Sequence, residues 1–150
     1  MKKVTSSRRA RQRGNAIIEF ALSATLLITL VAGIVGFSRI FNLANTSMGA
    51  AEAGVQYGAL SPAHSGDLVG MQNAALADTG NYAGATATAT QYCTCSVGGS
   101  QVSCSPNPCG SSTILKYAQV SVTLPYQTMI NYWMIPNPVN VTETAVGRVQ

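Results

Sequence analysis

An apolar run near the N-terminus constrains this chain more than any other feature. Residues 20–37 contain no charged side chain, and the apolar character begins at Ala16. As a helix, residues 16–37 would be about 33 Å long at ~1.5 Å per residue, which is enough to cross the hydrocarbon core of a bilayer. A cleavable secretory signal has a shorter apolar region and a small-residue cleavage site, whereas this run ends in Phe37-Ser38-Arg39. The run therefore predicts a transmembrane helix that stays with the protein.

The charges are distributed unevenly along the chain. Six of the nine Lys and Arg residues lie in the first thirteen positions, and no acidic residue accompanies them. The positive-inside rule therefore predicts a cytoplasmic N-terminus and an external domain after Arg39. The remaining chain has three basic and five acidic residues, so it offers no basic face and we expect no nucleic-acid partner.

Glu19 lies near the start of the apolar run, where a charged group is costly and is usually functional. If the chain were cut after Gly14, Asn15 would carry a new α-ammonium group, and Glu19 would lie four residues further on the same helical face. The amine and the carboxylate could then neutralise each other, within one subunit or between neighbouring subunits. The alternative is a glutamate at headgroup level whose carboxylate reaches water.

A short motif follows the basic leader. The leader ends in Gly14, residues 14–20 have the pattern Gly-x-x-x-x-Glu-Phe, and a hydrophobic helix follows directly. These features resemble the processing site of type IV prepilins, and the closer similarity is to TadE-like pseudopilins, the minor pilins of the tight-adherence pilus. The similarity rests on RGNAIIEFALSATLLITLVAGIVGFSRIF, on the small-residue tract at 50–54 and on the closing segment at 145–149.

The resemblance implies a processing step and a set of partners. A prepilin peptidase of the bacterial inner membrane would cut between Gly14 and Asn15, and Glu19 would be the family's assembly carboxylate. Phe20 stands where the family's major pilins more often have Tyr, a departure that favours a minor component. The implied partners are the peptidase, the inner-membrane assembly platform, and the major pilin or other pseudopilins.

By this interpretation the protein has a structural function in pilus biogenesis and adhesion. It would span the inner membrane once and place its C-terminal domain in the periplasm or outside the cell. The alternative is an uncleaved single-pass membrane protein whose external domain binds a ligand or a surface.

Small residues four positions apart form a ridge within the membrane run. This ridge would allow another helix to approach closely, and its threonine hydroxyls would be available for hydrogen bonds between helices. Its members are Ala21, Thr25, Thr29 and Gly33.

Beyond the membrane, alternating spacings of four and three predict a narrow apolar stripe on a helix that continues to about residue 57. The stripe would contact neighbouring subunits, the protein's own domain, or both. Its members are Phe37, Phe41, Ala44, Met48, Ala51 and Val55. Gly49, Gly54 and Gly58 weaken this part of the helix, so we expect fraying or a bend there.

Ser61-Pro62 ends the helical pattern, and the remaining sequence predicts a small external domain. A short amphipathic helix is expected over residues 67–79 with Ser65 as its N-cap. Period-two alternation predicts strands over 85–90, 117–124 and 139–149, the second of them ending at Pro125.

The predicted fold class is therefore α+β. A long N-terminal transmembrane helix continues outside the membrane and is followed by a small helix and a pilin-like antiparallel sheet of three to five strands. The predicted divisions are a cleaved cytoplasmic leader, a transmembrane and stalk helix, and an external disulfide-containing domain, at residues 1–14, 15–58 and 59–150.

The four cysteines lie close together in the predicted external domain. An even number in an oxidising compartment predicts two disulfides. If the glycine pair at 98–99 formed a two-residue hairpin turn, Cys93 would face Cys104 and Cys95 would remain for Cys109. The rival pairing, Cys95–Cys104 with Cys93–Cys109, needs a slightly different turn and stays open. Zinc is disfavoured because C-x-C-x₈-C-x₄-C is not a usual structural spacing.

An aromatic segment at residues 126–136, YQTMINYWMIP, contains Tyr126, Tyr132 and Trp133. If these rings are exposed they would form a contact patch, and the alternative that we favour is a short helix or loop that covers the sheet with its aromatic side chains. The chain has one histidine, His64, for which we expect no chemical role, and its acidic residues are scattered. We therefore expect no enzymatic activity, no metal site and no cofactor.

Overall fold

The computed structural model describes residues 5–105, 108–110, 112–128 and 137–149, with side chains from residue 16 onward. The elements are α1 (Thr5–Ala59), α2 (Pro62–Ser65), α3 (Leu68–Asp78), β1 (Thr86–Thr94), β2 (Leu115–Tyr126) and β3 (Val139–Val149). The α+β fold class predicted from the sequence is confirmed. The chain divides into two compact units, Met1–Arg39 and Ile40–Gln150.

The first unit consists of the N-terminal part of α1. Its large apolar side chains are exposed, for example Phe20 at 75% and Leu26 at 64%. Within the described residues, one helix is long and apolar enough to cross a membrane, the stretch Ala16–Ala59, which contains an 18-residue window with a mean hydropathy of 2.3. Exposed apolar side chains on all sides are expected of a helix surrounded by lipid. This helix fits the prediction of a single-pass membrane protein.

In the second unit, the outer part of α1 contacts the rest of the domain mainly through small residues. Of the predicted apolar stripe, Ala51 and Val55 are buried, whereas Phe41 remains 60% exposed. The buried positions of this part of the helix are Leu43, Ser47, Ala50, Ala51, Gly54, Val55 and Gly58. Of the predicted stripe, only Ala51 and Val55 are therefore buried against the protein's own domain. Their side chains let the helix backbone approach the domain more closely than the ring of Phe41 would.

Glycines create this close approach instead of fraying the helix. A Cβ at Gly54 would lie 2.9 Å from the Met71 carbonyl oxygen, and a Cβ at Gly58 would lie 2.5 Å from the end of the Met71 side chain. On β3, Gly147 leaves room for the side chain of Val55. The expected fraying at Gly54 and Gly58 is absent, because α1 runs through both residues to Ala59 and Gly54 and Gly58 pack closely against α3.

The three strands form one antiparallel sheet in the order β1-β2-β3. β2 lies in the centre, and its inward side chains Val120, Val122 and Leu124 are fully buried. Each side chain of this size contributes about 1.5–3 kcal/mol when it is fully buried. β3 has the predicted bounds. β2 continues through Pro125 to Tyr126, contrary to the prediction, because the pairing with β1 stops at Thr123 and the proline lies where one edge of β2 is free.

The start of α3 also differs from the prediction. Asp67, and not Ser65, is the N-cap, and its carboxylate accepts a hydrogen bond from the Gly70 backbone N–H at 2.8 Å. Ser65 instead donates its hydroxyl to the Pro62 carbonyl at 2.8 Å within α2. Met71 and Ala75 face inward from α3 and are buried.

The disulfides are Cys93–Cys104 and Cys95–Cys109, which is the pairing that the hairpin argument favoured. The predicted turn is nevertheless displaced by one residue. Gly98 has a φ of 73° and the Gly99 N–H donates to the Ser96 carbonyl at 3.0 Å, so the turn centres on residues 97–98. Cys93 therefore faces Val102 in the backbone pairing, and its disulfide reaches Cys104 across a Cα–Cα distance of 5.2 Å.

Candidate functional site

The predicted processing site lies on α1. Gly14 and Asn15 are part of the continuous helical backbone that begins at Thr5. Glu19 is exposed, as is Phe20 beside it, and it is the one charged residue between positions 16 and 38. Four helical residues correspond to a rise of about 6 Å, so Glu19 lies about one turn beyond Asn15. An amine at residue 15 and this carboxylate would share one face of the helix.

The small-residue ridge lies further along the same part of α1. The hydroxyl of Thr25 donates to the Leu22 carbonyl at 2.9 Å, and that of Thr29 donates to the Thr25 carbonyl at 2.8 Å. Both hydroxyl donors are therefore satisfied within the helix. Each threonine side chain can still contact another helix through its methyl group or accept a hydrogen bond at its hydroxyl oxygen. A Cβ at Gly33 would have no atom within 4 Å, so the side of the helix at this residue is open. Ala21, at the start of the ridge, is also exposed.

A polar network at the C-terminal end of α1 was not predicted. The Tyr57 hydroxyl donates to the Asp67 carboxylate at 2.9 Å, and the Tyr57 ring meets the His64 ring edge-on at a centroid distance of 4.6 Å. His64 Nδ1 is hydrogen bonded to the Ser61 hydroxyl at 2.6 Å. A Cβ at Gly70 would lie 2.6 Å from the Tyr57 hydroxyl oxygen, so this glycine leaves room for the tyrosine. The network joins α1 to the start of α3.

Hydrogen bonding perturbs two groups in this network. The Gly70 N–H and then the Tyr57 hydroxyl stabilise the ionised carboxylate, which lowers the pKa of Asp67. The hydrogen bond to Asp67 raises the pKa of Tyr57 in turn. In the sequence, only the Asp-x-x-Gly spacing at 67–70 indicates part of this network, because it is compatible with Asp67 as the N-cap of α3. The distant Tyr57 carries no pattern that would have associated it with Asp67.

The structure describes one member of the predicted contact patch. Tyr126 is half-buried at the end of β2, where it packs against the hydrophobic core. Tyr132 and Trp133 lie outside the described residues. Among the residues that the structure does describe, no group of three or more His, Cys, Asp or Glu side chains is placed to hold a metal ion, and the four cysteines are in disulfides.

Comparison with known proteins identifies the N-terminal region. The sequence model of the TadE-like protein family matches residues 14–56. The matched segment begins at Gly14, includes Glu19 and the uncharged apolar run, and ends three residues before the end of α1. The resemblance to the TadE-like family is therefore confirmed over this segment, which is less than a third of the chain. No curated protein and no solved structure matches the chain.

Proposed function

We propose that this protein is a minor pseudopilin of a tight-adherence type IV pilus, with a structural and not an enzymatic function. A prepilin peptidase removes the leader after Gly14. The mature protein spans the bacterial inner membrane once, with its N-terminus on the cytoplasmic side and residues after Arg39 in the periplasm. The observation that supports this most directly is the TadE-like match over residues 14–56, which begins at the glycine of the proposed cut.

The proposed function of Glu19 is to guide assembly. By insertion measurements, a charged side chain costs about 2.5–3.5 kcal/mol at the centre of a membrane helix, so a partner for the Glu19 carboxylate is favourable. Cleavage creates that partner, the amine of Asn15, about one helical turn away or on a neighbouring subunit. A pair formed between subunits fixes the axial position of one helix relative to the next. The cut would therefore be required before the subunit can pair correctly.

The ridge from Ala21 to Gly33 provides the surface for such pairing. Small residues bring two membrane helices close enough for extensive van der Waals contact. The proposed helix partners are the major pilin or other pseudopilins, and the inner-membrane assembly platform receives the processed subunit. The second unit carries the disulfides, which suit the oxidising compartment outside the inner membrane.

Cleavage is tested by co-expressing the full chain with its cognate prepilin peptidase and measuring the mass of the product. Loss of the first fourteen residues supports the proposal, and Gly14→Ala should prevent that loss. Gly36→Ala is the matched control, because a Cβ at Gly36 would have no atom within 4 Å and the substitution lies on the same helix. Retention of Met1 in the wild-type chain and in the control would contradict the proposal.

A further inference from the structure

The sheet has two free edges within the described residues. β3 pairs with β2 on one side only, and β1 pairs with β2 and, at Cys93, with Val102. The free edge of β1 is therefore the segment from Thr86 to Thr90, with the sequence TATAT. Both ladders keep one constant register, so neither edge is interrupted by a bulge.

These edges lack most of the features that prevent an exposed strand from pairing with a strand of another molecule. Proteins usually protect an edge with lysine, proline, a bulge or an inward-pointing charge. The β1 segment has none of these, and β3 has no lysine or proline and one inward-facing charge, Glu143 opposite Val122. An edge with so few of these features is a template for another strand.

The directions of α1, β1 and β3 restrict which strand of another molecule could pair with each free edge. Ser47 on α1 donates to the carbonyl of Val122, which pairs with Glu143, and further along α1 Val55 contacts Gly147. The outer part of α1 and β3 therefore run in the same direction. β1 also has this direction, because both outer strands are antiparallel to β2.

We propose that β3 of one copy pairs in parallel with β1 of a second copy held in the same membrane. This pairing rests on the proposed function, in which copies pack side by side with the outer parts of α1, residues 40–59, in the same direction. β3 and β1 of two such copies are parallel to each other. An antiparallel pairing of β3 with β3 would reverse the outer part of α1 in one copy, which this side-by-side packing excludes. The contact leaves one free β1 and one free β3, so it can repeat along a row of subunits.

The side chains at the two edges are compatible with this contact. On the outer face, Ser121 is hydrogen bonded to Thr144 at 2.7 Å and Thr123 to Thr142 at 2.8 Å. Within the sheet, Thr88 is opposite Ser121 on the other side of β2. For two copies whose sheets are not shifted along the strand direction, Thr88 of the second copy therefore lies beside Thr144, which continues the row of hydroxyl groups.

The inner side of the β3 edge has room for a strand with small side chains. A groove of about 220 Å³ lies between α1 and β3. It is lined by Met48, Glu52, Val55, Gln56, Thr144, Ala145 and Val146. The inward residues of the β1 edge are Ala87 and Ala89, so no bulky side chain obstructs the approach.

Cysteine cross-linking between positions 88 and 144 tests this pairing in the full-length chain in membranes. Positions 88 and 144 of one chain are two strands apart, about 9.6 Å at 4.8 Å per strand, and disulfides require Cα distances below about 7 Å. A bond between them must therefore join two copies. Differently tagged Thr88→Cys and Thr144→Cys copies are co-expressed, mildly oxidised, and separated without reductant, and the linkage is identified by mass spectrometry.

The pairing predicts a mixed disulfide dimer, and the double variant Thr88→Cys/Thr144→Cys should give a ladder of larger species. The control is Thr86→Cys/Arg148→Cys, whose thiols lie on the same face of the sheet. In the proposed pairing these two positions are offset by six residues along the strands, about 20 Å at 3.3 Å per residue, so the control should not form the series of disulfide-linked oligomers. No dimer above this control, or dimers of Thr144→Cys alone, would overturn the proposal. Repeating the experiment with Gly14→Ala separates it from processing, because strand pairing does not require the cut.

Discussion

The close approach of α1 to α3 predicts opposite effects for two glycine substitutions on the same helix. Gly49 and Gly54 both lie in the second unit. A Cβ at Gly49 would meet only the Asp78 carboxylate at 3.7 Å, which is an ordinary contact distance. A Cβ at Gly54 would lie 2.9 Å from the Met71 carbonyl oxygen, 3.0 Å from a Val120 methyl group and 3.1 Å from the Ala75 Cβ.

Gly49→Ala should therefore stabilise the folded chain by about 0.5–1 kcal/mol, the usual gain in helix propensity. Gly54→Ala has the same gain, but it adds a methyl group to a filled space bounded by backbone, which costs typically about 1–3 kcal/mol. The two variants should differ by that cost, with Gly54→Ala unchanged or less stable than wild type by up to about 2.5 kcal/mol.

Urea denaturation of the full chain in detergent micelles measures the difference, with near-ultraviolet circular dichroism following tertiary structure. Equal stabilisation by Gly49→Ala and Gly54→Ala would show that α1 does not lie against α3 as described. A larger loss of stability in Gly49→Ala than in Gly54→Ala would contradict the packing described for α1, because a Cβ at Gly49 would make only an ordinary contact with Asp78.

Three further predictions concern the assembly carboxylate, the N-cap and the disulfides. Glu19→Gln should be processed normally but enter assemblies poorly, which fractionation of envelope and filament will measure. The lowered pKa of Asp67 means that its contribution to stability is present above its unfolded pKa of about 3.9 and is lost as pH falls through the lower folded pKa. The stability of wild type relative to Asp67→Asn should therefore be constant near neutral pH and fall in acid, as urea titrations at several pH values will show. Replacing Cys93 and Cys104 together by serine should cost about 2–4 kcal/mol or more, because Cys93 is fully buried, and thermal melts will test this.

The type and order of the main helix and strands could be predicted because periodic sequence patterns determine them. The uncharged run predicts α1, and strict alternation over residues 139–149 predicts β3 with its observed bounds. The TadE-like resemblance covers the region in which the motif is continuous, from Gly14 to the outer part of α1.

Details that depend on close contacts could not be read from such patterns. The buried face of α1 includes Ser47 and Gly54, which do not count as apolar and so escape a search for hydrophobic periodicity. The turn before Cys104 shifted because Gly98 fits the positive φ of the third turn position, and either of two adjacent glycines could have done so. Tyr57 and Asp67 meet only once α1 and α3 are placed together.

The account depends on a free amine at Asn15 facing the carboxylate of Glu19. The most direct measurement is the N-terminal peptide of the protein isolated from the envelope of cells that produce the pilus, identified by mass spectrometry with chemical labelling of α-amines. The account predicts that this peptide begins at Asn15. A labelled peptide that begins at Met1, or that includes any of the leader upstream of Gly14, would contradict it.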